Sequence, residues 1–136
     1  MKNRKKNFYL SIITIVKDER FGLEKTYNSL KFFSKVNLSY EWILIDGSSI
    51  PLDKCFIKRS NQNIIIEEID YGIYNAMNKG IKYASGKYFL FLNAGDTINN
   101  SKHLKNLEKK LKEENSDVIC FSWQQKSNKK NFRKIA

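Results

Sequence analysis

The sequence predicts an α/β fold with a largely parallel sheet, and three observations carry that prediction. Apolar, β-branched runs of strand length alternate with stretches whose apolar residues recur at helical spacing. The first run is apolar or aromatic almost throughout, the pattern of a strand covered on both faces. A single proline interrupts 136 residues, of which 41% are hydrophobic and 13% aromatic, enough to bury the core of one domain.

In chain order, "FYLSIITIV" (8–16) is the first strand. Leu23, Tyr27 and Leu30 follow at helical spacing, with Lys25, Asn28 and Lys31 turned away. "YEWILID" (40–46) is a second strand, stopped at Gly47 with Ser48 and Ser49. A loop carrying Pro51 and several lysines leads to "NIIIEEI" (63–69), a third strand. A helix from about Gly72 to Ala84 places Ile73, Ala76, Met77, Ile81 and Ala84 on its apolar side. "GKYFLFLNAGD" (86–96) is a fourth strand ending in a turn. Ser101 is the expected N-cap of a helix striped by Leu104, Leu107 and Leu111, and "DVICFSW" (117–123) is the expected fifth strand. The expected domain is 8–123, flanked by basic tails at 1–7 and 124–136.

The 25 Lys and Arg against 14 Asp and Glu give a net charge of +11, concentrated at the two ends. That charge draws anions such as phosphorylated small molecules or acidic lipid. Nucleic acid is a poor fit, because lysine far outnumbers arginine and no aromatic residues interleave with the basic ones to stack bases. Cys55 and Cys120 lack any CxxC or Cys/His spacing, and His103 is the single histidine, which excludes a thiolate–imidazole metal site. The apolar run at 8–16 is short, contains Ser11 and Thr14 and lacks a small-residue cleavage site, so a cytoplasmic protein is expected. No P-loop, GxGxxG fingerprint, GxSxG elbow or Cys/His pairing is present.

In an open parallel sheet, ligands bind at the carboxyl ends of the strands. An acid stands at or just after four of those ends: Asp18, Asp46, Asp70 and Asp96. Each alone is explained by turn formation and helix capping. Together on one rim they repel unless donors or a cation lie between them. A divalent Mg2+ or Mn2+ ion shared with a substrate's phosphates is the economical reading. The helix at "DYGIYNAMNKG" adds a polar face, with Asn75, Asn78 and Lys82 at spacings of three and four, where long charged side chains are usual.

The segments "LSIITIVKDERFGLEKTYNSL", "YEWILIDGSS" and "DYGIYNAMNKGIKYASGKYFLFLNAGD" resemble the nucleotide-sugar-binding half of a family 2 glycosyltransferase, especially bacterial enzymes of O-antigen, capsule or colanic-acid synthesis. The resemblance runs from about Leu10 to Trp123. It implies a Rossmann-like GT-A three-layer sandwich that here is apparently truncated, a nucleotide-sugar donor of UDP type, a divalent metal, and inverting transfer to a glycan or lipid-linked acceptor. Carried over by position, it implies that Asp46 reads the base edge and Asp70 lies beside the nucleotide. Asn78 and Gly80 bring their helix near the diphosphate, and Val16, Asp18, Asn93 and Ala94 line the donor. Asp96 is the implied metal ligand, with Asn93 and Gly95 standing where many members have further acids. The first strand runs into "VKDER" where a Tyr-Asn or Asn-containing loop is usual. No position matches the aspartate that serves as general base, which is expected in a missing acceptor half.

A second reading is a non-catalytic nucleotide-binding or partner-binding module, and a third is a basic RNA-binding domain whose binding falls steeply with salt. The basic ends also suit peripheral contact with the inner face of an anionic membrane, where each lysine near the surface adds up to about 1 kcal/mol.

Overall fold

A computed structural model describes residues 8–113, 117–119, 123–125 and 133–135. The central sheet has four parallel strands, β1 (Leu10–Val16), β2 (Tyr40–Asp46), β3 (Asn63–Glu67) and β4 (Tyr88–Phe91), in the order β3-β2-β1-β4. The helices are α1 (Arg20–Ser29), which continues into a 3-10 segment at Leu30–Lys35, then α2 (Ile73–Tyr83) and α3 (Ser101–Glu113).

All seven residues of β1 are buried, as a strand covered on both faces requires. Period-two alternation sorts the sheet into two cores. On one face Leu10, Ile12, Trp42 and Leu44 pack with Leu23 and Leu30 and with Leu104, Leu107 and Leu111 of α3. On the other, Ile13, Ile15, Ile43 and Ile45 pack against Ala76 of α2. Helices thus flank the sheet on both faces, and the chain is an α/β three-layer domain.

The polar residues of the central strands are paired within this core. Trp42 Nε1 donates to Thr14 Oγ1 at 2.9 Å. Glu41 Oε1 accepts from Ser11 Oγ at 2.7 Å and from the backbone and hydroxyl of Ser85. These bonds tie β1, β2 and the turn before β4 together at the amino ends of the strands.

Three expectations are revised. The inner stripe of α2 is Ala76 and Gly80; Ile73 and Ile81 are 50% and 37% exposed. Gly80 sets this, since a Cβ there would lie 2.4 Å from Ile13 Cγ2, so the smallest residue makes the closest approach to the sheet. The cap of α3 is Asn100, whose Oδ1 accepts from the His103 N–H at 3.2 Å, and Ser101 is already helical. Of the expected fifth strand (117–123), Asp117, Val118 and Ile119 are non-strand, and residues 120–122 lie outside the described residues. Its last residue, Trp123, opens β5 (Trp123–Gln125), which pairs antiparallel with β6 (Arg133–Ile135) in a separate ribbon that runs into the stretch expected to be a basic tail. The tail at 1–7 lies outside the described residues.

Candidate functional site at the carboxyl ends of the strands

The chain leaves β1 through α1 on one face to reach β2, and leaves β3 through α2 on the other face to reach β4 on the far side of β1. The strand order therefore reverses between β1 and β4, the point at which ligands bind at the carboxyl ends of an α/β sheet. Along this rim the sheet order carries Asp70, Asp46, Asp18 and Asp96 in turn.

The loops after β1 and β2 are bound to each other. Gly47 N donates to the Val16 carbonyl at 2.9 Å, Asp18 N to Ser48 Oγ at 2.8 Å, and Ser49 N back to Asp18 Oδ1 at 3.3 Å. Asp18 takes a left-handed conformation, φ 54°, which aspartate tolerates better than most residues. Asp70, its side chain 7% exposed, accepts from Gly72 N at 3.1 Å and has Lys17 Nζ 4.0 Å away. Its carboxylate lies against Gly47, where a Cβ would be 1.8 Å from Asp70 Oδ2. Glycine at 47 is what lets the acid after β3 sit on the loop after β2.

Asp46 is the most deeply held of the four. Its Oδ1 accepts from Ser48 N at 3.0 Å, and its Oδ2 accepts from Leu52 N at 3.3 Å and from Lys54 Nζ at 2.5 Å. Burial alone raises its carboxyl pKa, but the bonds from Lys54, Ser48 and Leu52 outweigh that and hold it below the usual range. Burial likewise lowers the Lys54 ammonium, and Asp46 with Glu67 more than restores it. Beside this pair a cleft of about 850 Å³ runs along the outer side of β3, with Lys58, Arg59 and Ile65 among its lining residues.

The turn after β4 is fixed from α1. Thr26 Oγ1 donates toward the Asp96 carbonyl at 2.7 Å and accepts from Gly95 N at 3.0 Å. Ala94 N donates to the Ile15 carbonyl, and Asn93 N donates to Asp96 Oδ2 at 3.2 Å. Gly95 has φ 97°, which requires glycine. Asn93 Oδ1 is buried with no hydrogen-bond partner.

All four acids therefore accept backbone N–H groups, Asp46, Asp70 and Asp96 from their own loops and Asp18 from the loop after β2, and Lys54 and Lys17 meet Asp46 and Asp70. Among the described residues no three Asp, Glu, Cys or His side chains gather as a metal centre. The donor set at 93–96 is one exposed carboxylate and one orphaned amide oxygen. That set fits Mg2+ or Mn2+ only as a minor share of the ligands, with the rest from water and a substrate's phosphates.

The polar face of α2 is divided. Asn75 lies in the first turn at the rim, its Oδ1 accepting from Tyr71 N at 3.2 Å. Asn78 is exposed in mid-helix. Gly80 faces Ile13 in the sheet instead of a ligand. Lys82 lies roughly 14 Å down the axis from the helix start, toward the opposite edge of the sheet. The structure does not bring Gly80 and Lys82 to the rim. Sequence reading missed Lys17, Ser48, Lys54 and Glu67. The only signal was their nearness to strand ends.

Comparison with known proteins follows this geometry. The model of glycosyl transferase family 2 matches residues 11–136. A PGL/p-HBAD biosynthesis glycosyltransferase of Mycobacterium bovis is 34% identical over 43% of this chain and 25% of the relative. A Mycobacterium tuberculosis protein described in the same words matches equally. The chain spans about a quarter of the length of these relatives. The crystal structure of S. aureus TarS 1-349 aligns with a TM-score of 0.63 at 21% identity, over 79% of this chain and 33% of that one, a likeness of fold.

Proposed function

The chain belongs to glycosyl transferase family 2, and on that premise we propose that it forms the donor-binding part of a transferase that uses a nucleoside-diphosphate sugar, of UDP type, in cell-surface polysaccharide synthesis. The observation that carries this reading is the rim itself. Loops from four parallel strands meet at the switch point of the sheet, with Asp46 buried and ionised, Asp18 and Asp70 on either side, and the amino end of α2 opening at Gly72.

In this reading Asp46 accepts an N–H of the base, and Asp18 and Asp70 hold the nucleoside between the loops after β1, β2 and β3. The free N–H groups in the first turn of α2 and the Lys17 ammonium favour the diphosphate. Asp96, with Asn93, contributes the protein's share of a divalent ion, which when bound supplies charge stabilisation to the departing diphosphate. Transfer is a displacement with inversion. The acceptor oxygen bonds to the anomeric carbon as the bond to the β-phosphate oxygen breaks, and a general base takes the acceptor's proton. The acceptor is a glycan or a lipid-linked glycan. The basic sequence at the ends favours peripheral contact with an anionic membrane, and no helix among the described residues is long and apolar enough to cross one.

The test is calorimetric titration of the 136-residue chain with UDP, with and without Mn2+. Saturable binding that Mn2+ strengthens by about tenfold, or ~1.4 kcal/mol, is expected, with Asp96→Asn abolishing the metal effect. Absence of UDP binding overturns the donor reading. Binding to RNA that UDP does not displace favours the basic RNA-binding alternative instead.

A further inference from the structure

We propose that Lys54 is a positioning residue for donor recognition, holding Asp46 as a buried, ionised acceptor for an N–H of the nucleobase. The proposal rests on the donor reading above and adds a residue to it.

Lys54 is not a surface lysine that happens to meet an acid. Its side chain is 10% exposed, and its ammonium meets Asp46 Oδ2 at 2.5 Å, Glu67 Oε1 at 2.8 Å and the Leu52 carbonyl at 3.1 Å. Those three acceptors match the three N–H donors of an ammonium. The backbone that delivers it is fixed too, since the Lys54 carbonyl accepts from Ile57 N at 2.9 Å and Ile57 is buried in the core. One side chain thereby joins the end of β2, the loop after it and the end of β3.

The charges around Asp46 show what this does. Glu67 is half exposed at 49%, whereas the Asp46 side chain is 1% exposed. The other charged groups facing this corner are Asp70, packed on Gly47, and Asp18, bonded to Ser49, with Lys17 on the outer side of Asp70. Without Lys54 the buried carboxylate keeps the bonds from Ser48 and Leu52 but loses the cation that meets it. Burial then weighs more heavily toward its protonated form. A protonated Asp46 has lost half of its acceptor character and cannot serve a base N–H in the same way. Leu52 N and Lys54 occupy Oδ2, so Oδ1, which accepts from Ser48 N, is the oxygen that a base N–H would meet.

The experiment measures UDP affinity from about pH 6 to about pH 8 for the wild-type chain, Lys54→Met and Lys54→Arg, each as a ratio to wild type so that titration of UDP itself cancels. Lys54→Met is expected to lose affinity relative to wild type as pH falls, and Lys54→Arg to restore a flat ratio. A flat ratio for Lys54→Met overturns the proposal, because a merely structural lysine would weaken binding equally at every pH. A second measurement needs no variant: the 13C shift of the Asp46 carboxyl in the wild-type chain stays at its ionised value across the same range, and a titration there overturns the proposal even if Lys54→Met does not fold. If wild type binds no UDP, the donor reading fails, while the Asp46 carboxyl shift compared between wild type and Lys54→Met still decides the role of Lys54.

Discussion

Gly47→Ala is the sharpest test of how the rim is built. The added Cβ would lie 1.8 Å from Asp70 Oδ2 and 2.7 Å from Asp70 Cγ, far inside contact distance, so the Asp70 side chain must leave its place. Leaving costs the charge-assisted bond from Gly72 N, which is worth about 1.5–3 kcal/mol, and the weak attraction of Lys17 at 4.0 Å adds little. Glycine 47 is not in a left-handed conformation, so the substitution itself adds no backbone strain and recovers a few tenths to about 1 kcal/mol from the unfolded chain. The net expectation is a loss of about 1–2 kcal/mol in urea unfolding followed by circular dichroism. The double variant Gly47→Ala/Asp70→Ala decides the cause. With the carboxylate gone the new methyl has room, and Gly47→Ala should then cost nothing or stabilise slightly. An equal penalty in both backgrounds refutes the reasoning, because two residues that do not meet give additive effects.

Gly80→Ala sets a clash against a propensity gain. Helix propensity favours alanine by about 1 kcal/mol, but a Cβ 2.4 Å from Ile13 Cγ2 inside a fully buried interface costs about 1–3 kcal/mol. A net loss of stability is expected, turning to a gain in an Ile13→Ala background, as read from urea midpoints. Acid sensitivity should follow Asp46. Its folded pKa lies below the unfolded value of about 3.9, so its contribution is present above that pH and is lost as pH falls through the folded value. The stability difference between wild type and Asp46→Asn should therefore be constant near neutrality and shrink below about pH 4.

The sheet was legible because β1 and β2 announce themselves: seven consecutive buried residues in β1 and six in β2 leave no ambiguity of period. Alternation with helical segments then implied parallel strands and a binding rim, and the four acids marked its position. The contacts within the rim were not legible. Lys54 reaches Asp46 through a loop whose path depends on burial of Ile57, and nothing local in "GSSIPLDKC" encodes that path. In α2, counting apolar residues placed Ile73 and Ile81 inward, whereas the helix approaches the sheet where side chains are smallest, at Ala76 and Gly80. Lys82 was grouped with Asn75 because a helical face is a line, and a line has two ends. "DVICFSW" (117–123) reads as a continuation of the alternating series by composition, yet Asp117–Ile119 are non-strand and Trp123 begins β5, which pairs with β6 in a separate ribbon.

The position of β4 bears on how the chain behaves in solution. It is an edge strand among the described residues, and its outward Phe89 and Phe91 are 47% and 37% exposed on the face that α2 leaves open. A short edge carrying two phenylalanines is a template for unwanted strand pairing between molecules. The net charge of +11 opposes it, since two copies approaching edge to edge bring their lysines together. That protection is electrostatic and therefore conditional. At about 1 M salt the screening length falls to roughly 3 Å, the repulsion disappears, and the same salt strengthens apolar association. Association of the chain through this edge is thus expected to rise with ionic strength.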